Sequence, residues 1–465
     1  MIQSIEITNF KNIQHAQLEL PRLTILVGAN GVGKSNLVKA LSFLGSIPRY
    51  GLATTVGHFG GFENLIPRTL NKSESRKAKI GLSCSVSLPA PNKYDDSYPP
   101  VKVDYSIELG YNYSKDQPFD FRVSCENLTF FQVLAIAHSI STPESELDER
   151  YYVTPSSFSL VRGNRGGISY EGAPAISEEM QLYWNWLGFP IIERKAASLT
   201  KFRTIVNAFT RGRQEPKEGK RPRTESFLDP DVRTVVDLAQ QARMFFTAVA
   251  NVQRYDLLLS QLRIEQRGSG TEQLSSDGSN MPTVIRHIVS NSQKQSSLAR
   301  IMNTFKTLAP HIEQIKSNQL RTGKEFVEFI EESTTSRGIE SWDSSDGTLR
   351  ALALLLAIES HPRHSTILIE EPEQNLHPWA VRTIMEHIRE VIEERDLQIV
   401  ITTHSQQVLE RAYPEEILIV TRSEQGFAVF QTLEEILPES PIAMGEVGEL
   451  WVQGLLGGVP AYEKR

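Results

Sequence analysis

Apolar residues near the start of the chain alternate with polar ones at Ile5 and Ile7, then close up into Leu23-Thr24-Ile25-Leu26-Val27. Alternation suits a half-exposed strand, and a continuous apolar run suits a strand covered on both faces. After Ser35 the period becomes helical, with Leu37, Leu41 and Leu44 on one stripe. Buried strand, glycine loop and amphipathic helix, in that order, predict the opening of a nucleotide-binding α/β domain.

Residues 78 to 125 follow a different rule. Ile80, Leu82, Cys84, Val86 and Leu88 alternate with small or polar residues. Val101, Val103, Tyr105, Ile107 and Leu109 repeat the pattern, as do Phe119, Phe121, Val123 and Cys125. Turn-rich segments separate the three runs, which predicts an antiparallel sheet with one buried face. The stretch from 131 to 325 reads as mostly helical, with Val235-Val236-Asp237-Leu238 and Tyr255-Asp256-Leu257-Leu258-Leu259 as helix cores. Loop chemistry interrupts it at Gln266–Gly270 and Ser275–Asn280. From 365 onward α/β order returns. Thr366–Ile369, Gln398–Ile401 and Ile417–Val420 read as buried strands, and Val381, Ile384, Met385, Ile388 and Ile392 form one helical stripe after Pro378.

Composition narrows the class. The 465 residues make room for about three domain-sized units of ~150 residues. With 40% hydrophobic and 23% charged residues, collagen-like, disordered and mini-protein readings are excluded. A net charge of −7 rules out a uniformly basic nucleic-acid coat but leaves room for a local basic patch. The two cysteines, Cys84 and Cys125, cannot build a disulfide framework, and both read as small buried hydrophobes. The N-terminus lacks a basic segment followed by an apolar one, and the run Ala351–Ile358 is too short to cross a bilayer. A cytoplasmic protein with no membrane partner is expected.

The chemistry concentrates in four places. Gly28-Ala29-Asn30-Gly31-Val32-Gly33-Lys34-Ser35 matches G-x-x-x-x-G-K-[ST] between the buried strand and the helix. Such glycines let consecutive N–H groups curl around phosphate oxygens at a helix N-terminus. Lys34 is expected to reach the β and γ phosphates, and Ser35 to ligate Mg²⁺. Glu370 and Glu371 end the strand Thr366–Ile369, where Glu370 suits the Mg²⁺ shell and Glu371 suits polarising an attacking water. His404 ends another buried strand and suits a contact to the γ-phosphate. Ser344-Ser345-Asp346-Gly347-Thr348 precedes an apolar helix and reads either as an anion cradle or simply as a helix cap.

In this order the motifs resemble those of the ABC-type ATPase head, and more closely the RecF/SMC branch with its overcoming-lysogenization-defect (OLD) relatives. The entry run Ile5-Glu6-Ile7-Thr8-Asn9-Phe10-Lys11-Asn12 and the loop Asp277-Gly278-Ser279-Asn280 look similar as well. The resemblance implies an α/β P-loop NTPase with an antiparallel β subdomain and a mainly helical insertion. Residues 1–130 would form the Walker A lobe, 131–324 the insertion and lobe connection, and 325–465 the lobe bearing signature, Walker B and switch histidine. It makes Gly28, Asn30, Gly31, Gly33, Lys34, Ser35 and Asn36 nucleotide-binding residues, with Ser345 and Gly347 the signature contacts to a second copy's nucleotide. Ser35 and Glu370 become the metal residues, Glu371, His404 and Lys34 the catalytic ones, and Asn375-Leu376-His377 the D-loop.

Three features depart from the pattern. Glu370 stands where Asp is usual, the signature reads Ser-Asp-Gly-Thr, and only Glu63 and Asn64 offer themselves for the Q-loop. The chain has no Cys-x-x-Cys hook or sustained heptads, which excludes a coiled-coil arm, and the 61 residues after His404 carry no paired acidic nuclease motif. The expected function is an ATP-hydrolysing head that dimerises around ATP–Mg²⁺ in prokaryotic DNA repair or antiphage defence. A separately encoded nuclease or other effector would act with it, a layout similar to PARIS and Septu systems. The alternative is a nucleotide-gated scaffold with negligible turnover. Ten Lys/Arg between Arg194 and Arg223 face only Glu215 and Glu218, a local +8 that reads as a DNA or RNA contact or as a solvated loop.

Overall fold

The computed structural model describes residues 1–70, 72–88, 101–112, 121–131, 134–136, 151–153, 157–162, 168–172, 241, 244–332, 338–438 and 445–456. Its chain divides into two compact units interleaved in sequence: Met1–Glu19 with Phe43–Ala250, and Leu20–Ser42 with Asn251–Arg465.

The first unit is built on a seven-stranded antiparallel sheet. Its strands are β1 (Ile2–Phe10), β2 (Ile13–Glu19), β4 (Lys79–Leu88), β5 (Val101–Tyr111), β6 (Phe121–Phe131), β9 (Ser157–Arg162) and β10 (Ile168–Gly172), in the spatial order β10-β9-β6-β5-β4-β1-β2. A separate pair joins β7 (Leu134–Ile136) to β8 (Tyr151–Val153). Ile5, Ile7, Ile80, Leu82, Val103 and Ile107 bury the inner face, as their alternation predicts. Phe10 packs edge-on against Phe43 at 6.0 Å between ring centres.

Cys84 is buried, and burial pushes its thiol pKa up to about 12. Cys125 is exposed, contrary to the alternation over Phe119–Cys125. Glu108 pairs with Cys125 but Leu109 pairs with Val123, so Ser124 is an extra residue and the strand carries a bulge. Beyond a bulge the inward and outward positions exchange. Ser124, Glu126 and Leu128 therefore point inward, and the Tyr105 hydroxyl donates to the Glu126 carboxylate at 2.8 Å.

The second unit holds a six-stranded sheet of β3 (Leu23–Val27), β11 (Val252–Tyr255), β16 (Thr366–Glu370), β17 (Gln398–Thr403), β18 (Ile417–Arg422) and β19 (Ala428–Thr432). Their order is β11-β16-β17-β3-β18-β19; the first five are parallel and β19 is antiparallel. A smaller sheet combines β12 (Gln266–Arg267), β13 (Ile312–Gln319), β14 (Lys324–Glu331) and β15 (Ile339–Glu340). The helices that matter here are α1 (Lys34–Tyr50), α2 (Met281–Ser290), α3 (Gln295–Leu308), α4 (Asp346–Glu359) and α5 (Pro378–Arg395).

Every residue of α4 from Leu349 to Glu359 is buried, which explains its lack of a polar face. α4 packs against both α3 and α5. Its last residue, Glu359, is wholly buried and held by Arg300 at 2.7 Å and Arg395 at 2.9 Å.

Tyr255–Leu259 is no helix core. β11 ends at Tyr255, and only one helical turn, Leu259–Leu262, follows. A short apolar run lacks the periodicity that separates buried strand from helix, and here pairing with β16 sets the outcome. Strands β9, β10 and β13 likewise fall in the stretch read as mostly helical. Val235–Leu238 lies outside the described residues. Among those described, no helix is long and apolar enough to cross a membrane.

Candidate functional site

Strands β3, β16 and β17 run parallel, so their carboxyl ends open on one edge of the sheet. β17 lies between the other two: Thr403 pairs with Val27 and Thr402 with Glu370. The histidine-bearing strand thus separates the glycine-loop strand from the strand ending in the acids.

The loop after β3 takes its shape from its glycines. Gly31 and Gly33 have φ of 77° and 130°, a region that L side chains rarely enter. At Gly28 a Cβ would stand 2.2 Å from the Val420 carbonyl oxygen of β18, so only glycine fits. Asn30 is exposed in the loop, and the Asn36 N–H donates to the Gly33 carbonyl at 2.9 Å as α1 begins. Lys34 is 6% exposed, and its Nζ donates to the carbonyls of Gly28 at 2.7 Å and Ala29 at 3.0 Å. Burial pulls its pKa down from 10.5 to about 8, with Glu371 and Glu373 acting in the opposite direction.

Glu370 is held at both oxygens. The Ser35 hydroxyl donates to one at 2.5 Å, and the Arg254 Nε to the other at 2.5 Å. Arg254 belongs to β11 and also reaches Asp256 at 3.2 Å. Sequence reasoning missed it. It sits beside Gln253 in a strand of only four residues, which gives no local signal.

Glu371 adopts φ +46°, and its N–H donates to the Thr402 carbonyl at 2.9 Å. Its carboxylate accepts from Gln374 at 2.5 Å and lies 3.9 Å from His404 Nε2. Glu373, two positions on, accepts from Thr403 Oγ1 at 2.7 Å and from the His404 N–H at 2.8 Å. The acid loop therefore fixes the backbone of the histidine.

His404 Nε2 lies 2.9 Å from Lys34 Nζ. A charged lysine has only protons to offer, so His404 accepts at Nε2 and carries its proton on Nδ1. Burial, then Lys34, lowers the His404 pKa below 6.5, while Glu371 and Glu373 oppose the shift.

Ser345 is the N-cap of α4 and accepts from the Thr348 N–H at 3.1 Å, the helix-cap geometry. Asp346 is paired with Arg263. A Cβ at Gly347 would stand 3.1 Å from the Asn375 carbonyl oxygen. Among the described residues, no hydrogen bond joins Ser345 or Gly347 to Gly28–Ser35, whereas Lys34, Ser35, Glu370, Glu371 and His404 are brought together. Glu63 and Asn64 lie in a 3-10 turn of the first unit, where the Asn64 carbonyl accepts from Lys11 at 2.9 Å. The run Arg194–Arg223 lies outside the described residues.

The Ser35 hydroxyl and Glu370 both offer hard oxygen donors of the kind a divalent ion takes, and an ion held there would replace the hydrogen bond that joins them. Among the described residues no cluster of three or more His, Cys, Asp or Glu could hold a metal by itself. Mg²⁺ completed by phosphate oxygens suits such a sparse donor set.

Strand order, phosphate loop, paired acids and histidine give the chain a P-loop ATPase-type domain similar to the heads of the RecF/SMC-like ABC type. Comparison with known proteins agrees. Residues 1–83 match the family model described as "AAA ATPase domain", and residues 190–410 match "AAA domain, putative AbiEii toxin, Type IV TA system". The chain is 30% identical over 95 residues to the DNA replication and repair protein RecF of Renibacterium salmoninarum, a match that covers 20% of this chain and only 23% of that protein. Among solved structures, an SMC head bound to the C-winged helix domain of ScpA is 14% identical, with a TM-score of 0.42 over 94% of this chain and 99% of the other. The SMC head domain from Thermotoga maritima is 11% identical, with a TM-score of 0.35 over 93% and 98%. Likeness of that degree adds nothing to the assignment, which rests on the topology, the site and the family models.

Proposed function

We propose that this chain binds ATP with Mg²⁺ and hydrolyses it in a head dimer, serving prokaryotic DNA repair or antiphage defence beside a separate effector such as a nuclease. The convergence of Lys34, Ser35, Glu370, Glu371 and His404 on one edge of the parallel sheet carries this reading. Lys34 neutralises the β and γ phosphates, and the glycine loop supplies N–H donors. Ser35 and Glu370 hold the metal, which would draw charge from the phosphate oxygens. Glu371 orients and polarises the attacking water, while neutral His404 contacts the γ-phosphate.

Ser345 and Gly347 serve a second copy's nucleotide. Their helix N-terminus suits an anion, and no hydrogen bond ties them to this chain's own phosphate loop. The repair setting draws on the name of the RecF relative, and the defence setting on the resemblance to OLD-like ATPases.

Mixing two inactive variants tests the shared site. Ser345→Arg keeps its own phosphate loop and Lys34→Ala keeps its own signature, so mixed dimers regain about one working site in two. Heterodimers without recovered phosphate release would contradict it. Retained ATP-dependent pairing without turnover in the wild type would instead favour the nucleotide-gated scaffold.

A further inference from the structure

A buried cation ties the helix carrying Ser345 and Gly347 to the backbone of Glu371. Arg350 is 4% exposed and lies five residues beyond the N-cap of α4. One terminal nitrogen donates to the Leu257 carbonyl at 2.6 Å and the other to the Glu371 carbonyl at 3.2 Å. Its Nε is buried without a partner. Burying a guanidinium against two carbonyls, with one of its nitrogens left unpartnered, is a costly way to fill space in a helix otherwise apolar from Leu349 to Ile358.

The contact falls where backbone control matters. Glu371 holds φ +46°, a conformation that is unfavourable for a non-glycine residue and persists only where the surroundings enforce it. The Thr402 carbonyl accepts from its N–H, and Arg350 engages its C=O, so the peptide units on both sides are held. The same helix meets the same loop a second time, where Gly347 approaches the Asn375 carbonyl too closely for a larger residue to enter freely.

We infer that Arg350 is a positioning residue: it holds the Glu371 backbone so that the carboxylate faces the water, and it passes movement of the signature helix to that backbone. This rests on the ATPase reading above. A phosphate engaged at Ser345 and Gly347 displaces the first turn of α4. The helix moves as a rigid rod, and the carbonyl held by Arg350 moves with it. Contact between subunits and catalysis within a subunit then share one lever.

The test compares Arg350→Met, which keeps volume and loses every donor, with Arg350→Lys, which keeps the charge without the fork. Phosphate release is expressed per bound nucleotide, and affinity comes from titration with a fluorescent ATP analogue. kcat should fall ~10²-fold in the Met variant, the cost of a misplaced reacting group, with an intermediate value for Lys and with KM and affinity for nucleotide unchanged. A merely structural arginine would lower stability and nucleotide-binding capacity without changing kcat per bound nucleotide. If the Met variant does not fold, the Lys variant carries the comparison. Wild-type kcat in the folded variants overturns the inference and leaves the ATPase reading standing. Absence of turnover in the wild type overturns both.

Discussion

Ser35 and Glu370 stand 335 positions apart and meet through one hydrogen bond of 2.5 Å, donated by the serine hydroxyl. The contact joins the first turn of α1 to the end of β16, so the glycine loop and Glu370 form a single unit. Glu370 reaches the hydroxyl despite being one methylene longer than the usual Asp. Arg254 holds its other oxygen from the neighbouring strand and fixes where that extra length goes.

Removing that anchor should be felt twice. Arg254→Ala leaves a mostly buried carboxylate with Ser35 alone, and the loss of a charged hydrogen bond costs about 1–3 kcal/mol of stability. The Mg²⁺ concentration that supports half-maximal ATP binding should rise with it. Chemical unfolding midpoints and nucleotide titrations at graded Mg²⁺ measure the two effects. An unchanged Mg²⁺ requirement would mean that Arg254 does not set the acid.

Lys34 predicts an alkaline limb. Its pKa is about 8 in the folded chain against 10.5 for the ordinary side chain. Between those values the unfolded chain binds more protons at this residue, so rising pH relieves a penalty and this contribution to stability increases. Phosphate binding runs the opposite way, because it needs the ammonium form. ATP affinity should weaken as pH rises past about 8 toward that of Lys34→Ala, whose weak binding should stay flat from about pH 7 to 9.5. Equilibrium titrations across that range check it, and a flat wild-type curve would count against the assigned charge.

The basic run Arg194–Arg223 predicts steep salt dependence. If it tracks phosphates, affinity for DNA or RNA should fall by ~0.7–0.9 log units per contact per decade of salt. Replacing Arg211, Arg213, Lys220, Arg221 and Arg223 with Gln should flatten the slope and leave basal ATPase unchanged. No retention of either nucleic acid by the wild type at low salt, with ATP present, would leave the segment as a protein-docking surface.

The parts of the site written in local chemistry were legible before any coordinates. Gly28–Ser35 announces itself through glycines at fixed spacing, and Glu370, Glu371 and His404 through their place at the ends of buried strands. Arg254 and Arg350 were not legible, because each owes its role to a partner distant in sequence. Arg254 meets Glu370 across 116 positions, from a four-residue strand too short to be recognised. Arg350 left a trace: a single cation opening a run of eight apolar residues, Ala351–Ile358. Cys125 was misread for a geometric reason. One extra residue in β6 exchanges the faces of the strand, and alternation alone does not reveal where a bulge falls. Tyr255–Leu259 shows the same limit, since apolar content without period does not choose between helix and strand.

Phosphate release from ATP and Mg²⁺ by the wild type beside Glu371→Gln tests the central claim most directly. The exchange keeps the shape of the side chain and removes its charge, while Lys34, Ser35 and Glu370 remain to hold nucleotide. The wild type should release phosphate; Glu371→Gln should bind ATP with comparable affinity and release essentially none, accumulating as dimers of doubled mass in ATP by light scattering. Turnover in Glu371→Gln equal to the wild type, or an unchanged mass with and without ATP, would contradict the account.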